Sequence, residues 1–431
     1  MKQARQWWVS GIAGLAMLAG ATGAAMAQEK ELRIAYQPNP LQEASIDMMV
    51  KWGKAHNVKI TKVPNSYGVY VEKMTASLTS GSDQYDVIWH NDDWGQLWAH
   101  LLEPLDDVAG LKYADKWSTD PIIFHNKDGK TTVVPMGETL GALFYRTDLV
   151  KESELPKTWA DLVALSKKLQ GAGKVKFGFV GGMSKDADWN STLWTVWNNG
   201  CDVMKPFYTR DNAELAKAGW QSAMNEPCMR QVAEFWWDAL NKDNISPKGM
   251  PSYGRNEANA VFMVGDAAFT VADTTYWNDF NDPAKSKVAG KVGLAKFPLG
   301  PMGKRVENWD EIWGWAIPKA IPADRKALAK EMLSAIMTDE EGQIALWKKT
   351  GAPPPNVTLW PKIAKTDKFM QELQTLYLDP PHATHSAYYF ANWSAVHKAY
   401  NDAMTAAVTG SRENIPKALA DGAVNIHNAA K

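Results

Sequence analysis

From Leu32 onward the chain alternates short apolar strands with longer helical faces, and this order restricts the fold more than any composition does. Leu32, Ile34 and Tyr36 fall on one side of an extended segment, and Ile46, Met49, Val50 and Gly53 then share one face of a helix. Val58 and Ile60 begin a second strand. Past Leu78–Tyr85 comes Asp86-Val87-Ile88-Trp89, an apolar run of the kind found where a strand is covered on both faces. Strands separated by helices in this way imply a mostly parallel sheet covered by helices, an α/β fold.

A second series starts after Val133-Val134-Pro135. Ala142–Tyr145 reads as a strand, and Thr158 with Asp161 forms a capping box for a helix that buries Leu162, Leu165 and Leu169 and ends at Gly171 and Gly173. Further strands are expected at Phe177–Val180, Ala267–Ala272 and Val292–Phe297, with helices around 190–199 and 229–241 between them. Pro322 opens a helix carrying Leu328, Met332 and Ile336, and Thr338 with Glu341 caps the next one, which carries Ile344 and Trp347. Two α/β lobes account for the pattern.

The first 27 residues read as a signal peptide rather than as part of the fold. Lys2 and Arg5 precede an uncharged run from Trp7, and Ala25-Met26-Ala27 supplies a small-x-small cleavage signal before Gln28. The expected mature protein is exported to the periplasm, with about 400 residues, more than one core usually serves. The whole chain has 47 basic and 48 acidic residues, and losing Lys2 and Arg5 makes it slightly more acidic. That balance argues against nucleic acid and against a polybasic membrane patch. Cys201 and Cys228 both lie in the exported part, where an even count reads as a disulfide; two buried free thiols are the alternative.

Four stretches resemble the extracellular solute-binding proteins of ABC importers, in the sugar-binding group. Tyr85-Asp86-Val87-Ile88-Trp89, continuing through Trp94-Gly95 to Leu102-Glu103-Pro104-Leu105, is similar to the family's strand, loop and helix. Val134-Pro135-Met136-Gly137 and Ala142-Leu143-Phe144-Tyr145-Arg146-Thr147-Asp148-Leu149 resemble its first inter-lobe crossing. Leu155-Pro156-Lys157-Thr158-Trp159-Ala160-Asp161-Leu162 resembles its "PKTWDEL" helix start. Gly265-Asp266-Ala267-Ala268-Phe269 and Trp313-Gly314-Trp315-Ala316-Ile317-Pro318 resemble the second-lobe strand and the return crossing. The resemblance implies a two-lobed periplasmic-binding-protein fold with three inter-lobe crossings and a hinge. It places residues 28–138 plus 315–350 in an N-terminal lobe and 139–312 plus 353–431 in a C-terminal lobe. It further implies a ligand held between the lobes, delivery to the transmembrane subunits of an ABC permease, a monomer, and no chemistry on the ligand.

In open α/β sheets ligands lie beyond the carboxyl ends of strands, so residues just after strands are the candidates. In the first lobe these are Gln37, Asn91, Asp92 and Trp94. A carboxylate such as Asp92 orients two hydroxyls at once, though Asp at this point also suits the cap of the following helix. Glu138 lies at the first crossing, as a ligand contact or as half of an ion pair. In the second lobe Trp189, Tyr276 and Trp277 are the candidate stacking rings. At the return crossing Glu311 and Ile312 stand where the family has paired glycines, which puts the backbone geometry there in question, while Trp313 matches the family's aromatic. Tyr388, Tyr389 and Trp393 either close the pocket or form a helical core face.

The chain holds 21 tryptophans, and their flat faces suit the C–H faces of sugars. Trp89, Trp94, Trp189, Trp277 and Trp313 follow strands or border crossings, whereas Trp52, Trp159, Trp220, Trp236, Trp237, Trp347 and Trp360 lie in helical patterns that suit packing. His382 and His385 sit in a Pro380-Pro381 turn with no third ligand clustered near them, so no metal is expected. With no P-loop, no G-x-S-x-G and no Gly-rich dinucleotide turn, no cofactor is expected either. The expected function is capture of a carbohydrate. The alternatives are the same scaffold binding a cationic amine or osmolyte, and an exported glycoside hydrolase, which also pairs carboxylates with Trp platforms.

Overall fold

The first three strands form where the alternation places them in the computed structural model, which describes residues 30–114, 124–184, 191–206, 220–307, 309–377 and 392–430. In chain order the strands among the described residues are β1 Lys30–Tyr36, β2 Val58–Pro64, β3 Val87–Asn91, β4 Val134–Arg146, β5 Phe177–Val180, β6 Met204–Lys205, β7 Gln221–Ser222, β8 Ala267–Asp273, β9 Val292–Ala295 and β10 Trp309–Ala316. β1 lies parallel to both β2 and β3, with Leu32 opposite Ile60 and Ile34 opposite Val87. Every residue of β3 is buried, as its unbroken apolar run requires.

Helices cover this first lobe. Asn39 caps the helix Pro40–His56 by accepting from the Gln42 amide at 3.0 Å, and Asn57, in the left-handed region, ends it. The helices Ala323–Thr338 and Glu340–Thr350 return to pack against Pro40–His56. The cap between them differs from expectation. Asp339, not Thr338, accepts from the Gly342 amide at 2.9 Å, while the Thr338 hydroxyl bonds back to Ser334 O at 2.8 Å and completes the preceding helix.

In the second lobe β5 and β8 are parallel, and β8 and β9 both pair with the far end of β4. The Thr158–Asp161 capping box forms as expected, with bonds of 3.2 and 2.9 Å, and opens the helix Trp159–Gly171. Cys201 and Cys228 are joined in a disulfide with Cα atoms 5.9 Å apart. Phe144, Phe262, Phe280, Trp360 and Phe369 form one of the apolar clusters here.

One sheet runs through both lobes, in the order β2-β1-β3-β10-β4-β8-β5 with β9 beside β4. The two segments around residues 134 and 142, which together resemble the first crossing, form one continuous strand of 13 residues. β4 itself bulges beside Pro135: Met136 is an extra residue between Gly137, opposite Trp313, and Pro135, opposite Gly314. β4 and β10 are thus two crossings, antiparallel to each other. The third runs from Gly351, where a Cβ would stand 2.9 Å from Thr274 O in the second lobe, through Ala352 and Pro353, which pack against Gly137 and its neighbour Leu41.

Candidate functional site

The register of the sheet sets the site. Asn91, the last residue of β3, lies opposite Trp313, and Trp313 lies opposite Gly137. Further along β4, Gly141 lies opposite Asp273, the last residue of β8. At a strand rise of about 3.3 Å per residue, the carboxyl ends of β3 and β8 are therefore offset by about 13 Å along the strand direction, on opposite sides of the β10–β4 pair, and run toward each other. Glu138, Thr139 and Leu140, paired with Ile312, Glu311 and Asp310, form the floor between them. This is the placement in which α/β sheets hold ligands.

Asp92 binds this floor. Its Oδ2 accepts from the Ile312 amide at 3.0 Å and its Oδ1 from the Asp93 amide at 3.0 Å. β3 turns away into the short 3-10 turn Asp92–Trp94, and the Asp92 carboxylate stands in for the strand carbonyl that β10 would otherwise have met. The side chain is 1% exposed, so what the structure shows is closer to the capping alternative than to a carboxylate presented to solvent. Asn91 is buried and accepts from the Asp93 amide at 3.5 Å. Gln37, half-buried just past β1, offers its backbone carbonyl to the Gln42 side-chain amide, in the amide orientation that also lets Trp89 Nε1 donate to Gln42 at 2.9 Å.

Trp94 requires a correction, and so does Trp89. Both rings are buried in an aromatic cluster: Trp89 and Trp94 meet edge to face at 4.8 Å, Trp94 and Trp98 lie 4.8 Å apart, and Tyr70 stacks on Trp94 at 5.7 Å. The Tyr70 hydroxyl donates to Trp89 O at 2.8 Å, and Trp98 Nε1 to Thr75 at 2.9 Å. In this conformation these rings are core, and the face of Trp94 is covered by protein. His90 completes the cluster, 5.6 Å from Trp98 and 5.7 Å from Phe124. Burial pushes its imidazole down to about 3, so it is neutral.

Glu311 and Ile312, in place of the family's glycines, lie in regular register with Thr139 and Glu138 and need no special backbone freedom. Glycine is required instead at Gly314, and for a steric reason, since a Cβ there would come within 2.4 Å of Val133 and 2.6 Å of Val134 O. Glu311 is buried. Trp313 is 9% exposed, meets Trp89 edge to face at 5.7 Å, and has a shielded Nε1 with no hydrogen-bond partner among the described residues. Such an N–H matches a ligand acceptor. The Glu138 side chain, Trp189, His382, His385, Tyr388 and Tyr389 lie outside the described residues. Trp393 is buried and stacks with His397 at 5.7 Å, which favours the core reading.

The opposite lip is built on the end of β8. Leu140 N donates to Thr274 Oγ1 at 3.3 Å, so this lip is fastened to the floor. Tyr276 and Trp277 are half-buried; the Tyr276 hydroxyl donates to Asn256 at 3.2 Å, and Trp277 stacks on Phe369 at 4.2 Å and 3°. Phe369 is itself stacked on Trp347 at 4.8 Å, so a column of rings holds Trp277 in place. Asp273 accepts from Thr275 and pairs with Arg255 at 2.8 Å. Sequence reasoning passed over Asp273, Arg255 and Asn256. The rule of strand ends points to Asp273, which directly follows Ala267–Ala272; the two helix residues carry no local signal.

Among the described residues no three His, Cys, Asp or Glu are grouped to hold a metal ion, and no helix is long and apolar enough to cross a membrane. The model of the family "Bacterial extracellular solute-binding protein" matches residues 37–344, well over half the chain. A probable ABC transporter-binding protein of Deinococcus radiodurans is 26% identical over 280 residues, which is 62% of this chain and 62% of that protein. Maltose-bound MalE3 of T. maritima superposes with a TM-score of 0.74 at 21% identity, over 92% of this chain and 99% of that one. A solute-binding protein of Agrobacterium vitis S4 with bound D-mannitol superposes with a TM-score of 0.71 at 22% identity, over 93% and 98%. These likenesses show the two-lobed periplasmic-binding-protein fold. The chain belongs to the family of bacterial extracellular solute-binding proteins.

Proposed function

We propose that the protein is the substrate-binding component of an ABC importer and that it captures a carbohydrate between its lobes, unchanged, for delivery to the transmembrane permease. The observation that carries this reading is the opposition of the β3 and β8 carboxyl ends across one shared floor. Tyr276 and Trp277 supply ring surface at one lip, and Trp313 supplies a shielded N–H donor at the floor. Gln37, Asn91, Glu138 and Glu311 are the further polar groups we assign to the ligand, with Asp92 acting mainly through β10. We include Trp189 as a second-lobe ring on sequence position alone. Two neighbours with the same fold hold maltose and D-mannitol, which fits a polyhydroxylated ligand.

The N-terminal lobe in this reading comprises residues 28–138 and 315–350, and the C-terminal lobe 139–312 and 353–431. The protein acts as a monomer in the periplasm after cleavage at Ala27. The test is thermal unfolding of the mature protein with a panel of mono- and oligosaccharides, polyols and amines, followed by assay of the mixtures for breakdown. A ligand at a hundredfold its Kd adds about 2.7 kcal/mol. Stabilisation by a sugar or polyol without product supports the reading. Stabilisation by amines alone, or product formation, overturns it.

A further inference from the structure

The crossing strand β10 forms half of the cleft floor, and the chain just before it is clamped from behind. Asn198, fully buried at the end of the helix Leu193–Asn198, makes two bonds to the backbone of Glu307, which stands two residues before β10. Its Oδ1 accepts from Glu307 N at 3.0 Å and its Nδ2 donates to Glu307 O at 3.0 Å, so the amide pairs with Glu307 as a neighbouring strand would. The same Nδ2 donates to Trp194 O at 2.9 Å, and the Asn198 carbonyl accepts from Gly300 N at 2.9 Å. Gly303 is a glycine for a steric reason: a Cβ there would fall 2.0 Å from Asn198 O.

Asn199 continues the clamp. Its Oδ1 accepts from Met302 N at 2.9 Å and its Nδ2 donates to Cys228 O at 2.9 Å. Cys228 is bonded to Cys201, two residues past Asn199, so the disulfide closes a ring of contacts around the Asn198-Asn199 corner. From there, Glu307 leads into the segment whose Ile312 amide bonds Asp92 and whose Trp313 lies between Asn91 and Gly137. The Glu307 side chain is itself buried and pairs with Arg305.

We propose that Asn198 is a positioning residue for the ligand site, acting through Glu307 to set where β10 places Glu311 and Trp313, and that the Cys201–Cys228 disulfide holds Asn198 and Asn199 in register for that task. The proposal rests on the cleft reading given above for its functional meaning. Its structural content stands apart from the identity of any ligand. A buried side-chain amide that satisfies both groups of one residue is replaceable neither by a shorter side chain nor by water without loss at both bonds.

The test is amide hydrogen exchange on the intact mature protein without ligand, comparing wild type, Asn198→Ala, the Cys201→Ser/Cys228→Ser pair, and wild type reduced with a phosphine. Asn198→Ala should raise exchange across Trp309–Ala316 by about tenfold or more while Leu32–Tyr36 and Ala267–Asp273 change less than about twofold. Loss of the disulfide should act on the same peptide and in the same direction. If Asn198→Ala does not fold, Asn198→Asp carries the comparison, since it keeps the acceptor for Glu307 N and loses the donor to Glu307 O. Unchanged protection of β10, equal loss in all three strands, or a disulfide effect confined to residues 193–206 and 220–237 would overturn the proposal. A failed sugar titration would instead count against the cleft reading and leave this exchange result standing.

Discussion

His90 gives the sharpest quantitative prediction, because its burial converts directly into a dependence of stability on pH. Its ring is enclosed by Trp94, Trp98 and Phe124, at 6.1, 5.6 and 5.7 Å, and loss of hydration pushes its pKa from 6.5 down to about 3. The unfolded chain therefore takes up a proton that the folded chain refuses. The stabilisation from a neutral His90 is fully present above the unfolded pKa and is lost as pH falls from there toward the folded value, at about 1.4 kcal/mol per pH unit. Between pH 7.5 and pH 5 this one group should remove ~2 kcal/mol. His397, lowered to about 4 by burial, acts in the same direction, so the contribution of His90 must be read as a difference. His90→Leu keeps side-chain volume and removes the titration; at pH 7.5 it should change stability by less than about 1.5 kcal/mol. Urea unfolding followed by circular dichroism at the two pH values would then show wild type losing about 2 kcal/mol more than the variant. A gap between the two proteins that stays constant with pH would refute the argument that His90 is held neutral in the aromatic cluster.

The remaining predictions separate packing from binding. Trp94→Ala should cost about 3–5 kcal/mol in denaturant unfolding because it opens a cavity in the core, whereas Trp277→Ala should cost about 1–2 kcal/mol and remove the ligand-induced thermal shift. Asp92→Ala leaves the Ile312 and Asp93 amides unpaired and should cost about 1–3 kcal/mol, with faster exchange at the β3 end of β10; retention of full stability would show that the carboxylate is not holding the strand. Replacing both Cys201 and Cys228 by serine, at a separation of 27 residues, should lower stability by about 3–4 kcal/mol on the chain-entropy model, measured against the oxidised protein in urea.

Strand patterns carried most of the fold. The alternation at Leu32–Tyr36 and the apolar run at Val87–Trp89 each specify a strand in a particular environment, and both strands form as parallel neighbours. Local chemistry also placed the Thr158–Asp161 box, because its bonds close within one turn. What the chain hid was longer in range. Pro135 and Gly137 look like breaks, yet β4 runs through them with a bulge at Met136, and the pairing that carries the strand past it comes from β10, far along the sequence. Trp89 and Trp94 stand just beyond an apolar strand and so looked like platforms. Their burial depends on Tyr70 and Trp98, which reach them from two separate helices. Asp92 likewise could have capped a helix or met a ligand, and only the approach of Ile312 shows that its carboxylate completes a sheet. The place of Trp277 after a strand is legible locally, but the column Trp347–Phe369–Trp277 that orients it draws on three helices.

The central claim is that a polyhydroxylated ligand lies on the floor formed by β4 and β10, between the ends of β3 and β8. Its most direct test is the crystal structure of the mature protein with the sugar or polyol that stabilises it most in the thermal panel. The account predicts intact ligand over Thr139–Leu140 and Glu311–Ile312, with a ring face against Tyr276 or Trp277 and an acceptor on Trp313 Nε1. Ligand seated elsewhere, such as the outer groove lined by Trp159, Phe235 and Arg412, or a cleaved product on that floor, would contradict it.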